Sequence, residues 1–129
     1  MLFSPDIAKL LLRLQVGILM LFHGVHKITH GIEGVKSLVV NAGLPEFISY
    51  GVFFGEIVMP ILIILGLYAR VASLVLALNM VMAIYLAYGS SLFELTKFGG
   101  LAMELPLIFL MSSIAIFLLG SGKYAVNAK

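Results

Sequence analysis

Cysteine and tryptophan are both absent from this 129-residue sequence. Without cysteine there is no disulfide framework, no thiol redox centre and no Cys-ligated zinc. Without tryptophan, any aromatic belt rests on the five tyrosines and nine phenylalanines. Charge is scarce as well: 11% of residues carry it, and the net charge is +2. No run of Lys or Arg forms the basic patch that nucleic acid needs, so that class of partner is excluded. A soluble domain is about a quarter charged. A chain that is 62% hydrophobic, with a mean hydropathy of +1.17, lacks the polar surface to cover a water-soluble core. It reads as an integral membrane protein, all-α, with one domain over 1–129.

About twenty apolar residues cross a bilayer. Four segments qualify, at about 7–27, 47–66, 70–88 and 100–119, and predict a four-helix transmembrane bundle in contact with the lipid bilayer. The first is read as retained rather than as a cleaved signal: Arg13 interrupts it, no small-x-small site follows, and further spans come after. "GLYAR" at 66–70 is a very tight turn that makes spans two and three antiparallel neighbours, whereas 28–46 is the longest loop and "GSGKYAVNAK" is a polar tail. An even span number puts both termini on one side. That side carries Lys9, Arg13, Arg70, Lys123 and Lys129 against Lys27, Lys36 and Lys97 on the other, so the positive-inside rule leans toward cytoplasmic termini of a multi-pass protein in a bacterial inner membrane. Gly51 and Gly55 form a GxxxG pair, which permits close helix approach, either inside the bundle or in a homo-oligomer.

Ionisable groups within a span are costly and tend to face the bundle interior. Here they are Arg13, His23, His26, Glu56 and Glu104, joined by the amides Gln15 and Asn79. With a rise of about 1.5 Å per residue, His23 and Glu104 fall roughly 6 Å deep, and Glu56 and Asn79 roughly 14 Å. Two layers are therefore expected, His23 with Glu104 and Glu56 with Asn79. Arg13 falls about 7 Å below Glu56, within reach of its long side chain. Pro60 cannot donate to the Glu56 carbonyl, and Pro106 stands in the same relation to Ala102. Two readings of this network stay open. It is a structural device that holds the helices in register, or a proton, quinone or small-ligand site in which buried acids exchange protons.

The three histidines, 23, 26 and 30, have i, i+3, i+7 spacing and share a helical face. That geometry suits a metal, with Glu104 as a fourth ligand. Gly24, Thr29 and Gly31, however, predict a helix that frays near Lys27, with His30 in a loop. No metal is assigned. His26 and His30 are expected to solvate the membrane edge, and His23 to act as an acid/base or hydrogen-bond partner.

"LLLRLQVGILMLFHGVHKI", "NAGLP", "GEIVMPILIILGLYAR" and "KFGGLAMELPLIFLMSSIAIFLLGSGKYAVN" together resemble the DoxX family of small four-span bacterial membrane proteins (DoxX, DoxD and MauE-like proteins). The motifs that carry the resemblance are Arg-Leu-x-x-Gly and His-Gly-x-x-Lys in span one, Glu and then Gly-Leu-x-x-Arg across span two, and Lys-x-Gly-Gly before Glu-x-Pro in span four. Their order and spacing cover nearly the whole chain. The carry-over selects Arg13, Gly17, His23, Gly24 and Lys27 in span one, and Glu56, Gly66 and Arg70 around span two. It also selects Lys97, Gly99, Gly100, Glu104 and Pro106, then Gly120 and Gly122. The chain departs from the family at Ala125 and Asn127, where the family tends to have Ser and Asp, and His26 and His30 lie outside the pattern.

The resemblance implies a four-span bundle and a membrane subunit of an oxidoreductase system. The expected function is an accessory or quinone-interacting subunit with a membrane or periplasmic redox partner; whether the chain is catalytic alone stays open, a non-catalytic subunit of an oxidoreductase complex being one reading. His23, Glu56, Glu104 and Arg13 would relay protons, and His23, Asn79 and Glu104 would hold a quinone or small ligand. The alternative is a non-enzymatic scaffold or small-molecule transporter component in which the same network is structural.

Overall fold

The computed structural model describes residues 4–89 and 92–127. Lys129, counted in the charge comparison, lies outside them, as does the end of the polar tail. The described chain is helical: α1 (Pro5–His30), α2 (Glu33–Asn41), α3 (Glu46–Leu65), α4 (Ala69–Tyr88) and α5 (Glu104–Leu119). α1, α3 and α4 are long and apolar enough to cross a membrane, and their ends lie within three residues of the expected spans. The fourth helix begins at Glu104 rather than at Gly100. Its 16 residues extend about 24 Å, short of a hydrocarbon core of about 30 Å.

Local chemistry sets these boundaries. α1 starts where the Ser4 side chain accepts the Ile7 amide, followed by Pro5 at the first helical position and Asp6 in the first turn. It ends at Gly31, whose φ of 84° no L-residue adopts cheaply. The predicted fray near Lys27 does not occur. Gly24 is buried in a helix contact rather than exposed, so its backbone is held by packing. His30 is therefore helical, and its ring stacks on that of His26 at 4.1 Å and 19°.

The 28–46 segment, expected as loop, contains α2, two and a half turns set between Gly31 and Gly43. α3 is a composite: a 3-10 turn over Glu46–Tyr50, a π-turn over Phe54–Val58, and α-helix from Met59. The π-turn ends just before Pro60, where the missing amide already disrupts the i→i−4 ladder; the Met59 amide reaches back to the Phe54 carbonyl. In place of the first turn of the expected fourth span lies a small hairpin, with Thr96 donating to the Gly100 carbonyl at 2.7 Å and Ala102 to Glu94 at 2.8 Å. Ala102 is thus outside the helix. Pro106 falls in the first turn of α5, where no ladder bond is due, and it leaves no carbonyl of Ala102 unpaired within the helix.

α1 packs on α3, α3 on α4, α4 on α5, and α5 returns to α1. Val16, Met20, Ile63, Leu76 and Ile116 fill the centre, while Leu11, Phe22, Val71, Met111 and Leu118 face outward. Apolar side chains on both the inside and the outside are what a bilayer solvent requires. This is a membrane protein.

The two ends of the bundle differ. One holds the tight turn between α3 and α4, closed by the left-handed Gly66 and Tyr68. The C-terminal segment docks there: Val126 donates to the Leu65 carbonyl at 2.9 Å and Lys123 to the Asp6 carboxylate at 3.0 Å. The other end holds α2 and the hairpin.

A candidate ligand site at the loop end

Two glycines fix α1 against α3. A Cβ at Gly17 would stand 2.9 Å from the Pro60 carbonyl oxygen, and one at Gly24 would strike the carbonyl of Glu56. The carbonyl that Pro60 cannot satisfy therefore backs directly onto Gly24, and the π-turn presents the Glu56 side chain toward the bundle interior. Of the GxxxG pair, Gly55 packs on Asn79, 2.8 Å from where its Cβ would be, whereas Gly51 has open space around it. The pair contributes one contact inside the bundle rather than a two-glycine face.

Glu56 is buried, its side chain 4% exposed. Its carboxylate accepts from the Lys27 ammonium at 2.6 Å and from the Asn79 amide at 3.5 Å. The Glu56–Asn79 layer thus forms, but its cation is Lys27 and not Arg13. Helical side chains lean toward the N-terminus of their helix. α1 begins at the turn end, so Arg13 leans away from Glu56 while Lys27 leans down toward it. α3 runs the opposite way, so Glu56 leans up to meet Lys27.

Arg13 instead closes the turn end. Its guanidinium, 1% exposed, donates to the carbonyls of Ile63 (3.0 Å), Ile64 (2.9 Å), Ser121 (3.0 Å) and Tyr124 (2.7 Å). The first two are carbonyls in the last turn of α3; that of Ile63 also accepts from the Gly66 amide at 3.1 Å, and the guanidinium adds to the helix cap there. A planar fork of donors suits several neutral acceptors at once.

The expected His23–Glu104 layer does not form. Because α5 starts at Glu104, that carboxylate lies at a helix N-terminus, exposed and without a side-chain hydrogen bond or ion pair among the described residues. His23 meets α5 one turn further along, its ring edge-on to Phe109 at 5.8 Å and 88°. Among the described residues, no group of three or more His, Asp or Glu converges as metal ligands do.

These side chains surround a cavity of about 720 Å³ at the loop end. His23, Lys27, Glu56 and Asn79 line it together with Met20, Phe109 and other apolar groups; neither Arg13 nor Glu104 does. It has the usual form of a small-molecule site, apolar walls with a few convergent polar groups. Lys27 and Asn79 offer donors, and Glu56 accepts, or donates once protonated.

Lys27 was not among the residues assigned to the site from spacing, although a signal for it exists. Arg13, Gly17, Met20, Gly24 and Lys27 succeed one another at intervals of four, three, four and three, a single inward stripe. The first four are buried, and Lys27 continues the stripe beside Glu56.

The DoxX family profile matches residues 8–89. Over 124 residues the chain is 32% identical to "Putative oxidoreductase CatD" of Bacillus subtilis (strain 168), an alignment that covers 96% of this chain and 87% of that protein. No solved structure matches.

Proposed function

The chain belongs to the DoxX family, and from that premise we propose that it is an accessory, quinone-interacting subunit of an oxidoreductase system in a bacterial inner membrane, with cytoplasmic termini. The observation that supports this most is the cavity, apolar along its walls and polar at one place, where Lys27, Glu56 and Asn79 meet. A quinone head presents two oxygens that accept hydrogen bonds, and its reduced form presents two hydroxyls that donate them. Lys27 and Asn79 match the first, and the Glu56 carboxylate matches the second. Glu56 is the proton-exchanging group of this reading, Lys27 its counterion and Asn79 a fixed donor, with His23 on the cavity wall. Electrons pass to a membrane or periplasmic partner that carries its own redox group. The oxidoreductase name of the Bacillus subtilis relative is in keeping with that role.

The test is labelling by a photoreactive quinone analogue, followed by mapping of the modified peptides. Modification of α1, α3 or α4 near Lys27, Glu56 or Asn79, suppressed by excess quinone, is expected. Labelling that is absent, or confined to lipid-facing positions, contradicts the reading. The scaffold alternative predicts that Glu56→Gln fails to assemble. The quinone reading predicts normal assembly with the ligand lost.

A further inference from the structure

The cavity wall and the lipid-facing surface share residues. Phe54, Leu78 and Met82 line the cavity, yet they are 56%, 61% and 41% exposed. Phe54 lies two residues from Glu56 and Leu78 adjoins Asn79, so both sit within about 3 Å of the polar cluster in depth. α3 and α4 pack together toward the 66–68 turn, whereas residues 51–53 of α3 pack on α1 instead. The two helices therefore part toward the loop end, and the gap between them faces hydrocarbon rather than water.

The aqueous side is covered. α2 lays Val35, Leu38 and Val39 over the cavity. It is held there by Lys36, whose ammonium lies 3.4 Å from Glu33, 3.9 Å from Glu46 and 5.2 Å from the centre of the Tyr50 ring. A water-soluble ligand would have to cross this apolar roof. A ligand already dissolved in the bilayer meets the gap on the loop side of the Gly55–Asn79 contact, beside the polar cluster.

We infer that the ligand enters sideways from the bilayer between α3 and α4, and that it has two parts. A hydrogen-bonding head rests on Lys27, Glu56 and Asn79, and an apolar tail trails out past Phe54, Leu78 and Met82. This rests on the quinone reading and adds to it the tail and the route. The tail stays in an apolar medium along its whole path, so only the head exchanges surroundings on binding. The flexible Met82 side chain and the flat Phe54 ring suit a mouth that must fit a chain of varying conformation.

The experiment compares a tail-less quinone with one bearing a long isoprenoid tail, bound to the full chain in lipid nanodiscs. Leu78→Trp narrows the gap at a position already facing lipid, and it is read beside Met111→Trp. Met111 is 62% exposed on α5 and lies outside the cavity wall. Leu78→Trp is expected to weaken the tailed quinone about tenfold, the effect of losing burial of roughly two methylenes. The tail-less quinone should be unaffected, and Met111→Trp should change neither. If Leu78→Trp leaves tailed binding intact, or if Met111→Trp weakens it instead, the route is wrong while the quinone reading stands. If the wild type binds neither quinone, the quinone reading fails and the route fails with it. Should Leu78→Trp weaken both quinones equally through damage to the head site, Met82→Trp carries the same comparison from one turn further along the gap.

Discussion

α1 carries one inward-facing cation near each end of the bundle, and the two are satisfied in different ways. Arg13 spreads its charge over four backbone carbonyls in a packed corner. Lys27 meets a single carboxylate at the wall of a 720 Å³ cavity. The first arrangement engages four of the five guanidinium N–H donors in joining α1, α3 and the C-terminal segment, and the cavity does not reach it. The second leaves polar atoms beside open volume. Intramembrane charge in this protein therefore has room for a ligand only where unfilled space accompanies it.

The largest effect is expected where that distinction is sharpest. Arg13→Met removes a donor from four carbonyls at once, two of the bonds fully and two partly buried, and should lower stability by about 3–5 kcal/mol, read by thermal unfolding in detergent. Loss of the C-terminal docking should show as faster proteolysis after Gly120. Gly24→Ala comes next. Its new methyl meets the Glu56 backbone carbonyl rather than a movable side chain, so α1 and α3 must separate at a cost of about 1–3 kcal/mol, and quinone binding should weaken too.

Lys27→Met is expected to cost less stability than Arg13→Met, about 1–3 kcal/mol, because the Lys27 side chain is 26% exposed and part of the lost interaction is replaced by water. Its effect on ligand binding should be larger than that of Arg13→Met in whatever fraction of the latter folds. Because the two residues stand about 21 Å apart along the helix, the double variant should be additive within about 0.5 kcal/mol. Marked coupling between them would break the division into a structural end and a ligand end. The smallest effect belongs to Gly51→Ala. It has open space around it and should change stability by no more than about 0.5 kcal/mol, unlike the other glycine substitution.

Hydropathy alone made the all-helical membrane bundle legible, because period and run length carry that signal over whole segments. The fine structure at the loop end was not. α2 is too short to show a period of its own, and apolarity alone does not separate the hairpin around Gly99 from the helix that follows it. Within the site, residue depth placed Glu56 and Asn79 together but assigned the wrong cation. Depth locates a Cα, whereas the lean of side chains toward their helix N-terminus decides that Lys27 reaches down and Arg13 does not. Glu104 was misjudged through its boundary: moving a helix start by four residues takes a carboxylate from the interior of a span to its mouth. The cavity itself could not be read from sequence, since its wall is assembled from residues of all five helices.

The most direct test is the quinone content of the detergent-purified protein, wild type beside Glu56→Gln. The account predicts near-stoichiometric quinone in the wild type and loss of most of it in a variant that still folds and assembles. Wild-type protein free of quinone, or equal occupancy in both, would contradict the claim that Lys27, Glu56 and Asn79 form a ligand site.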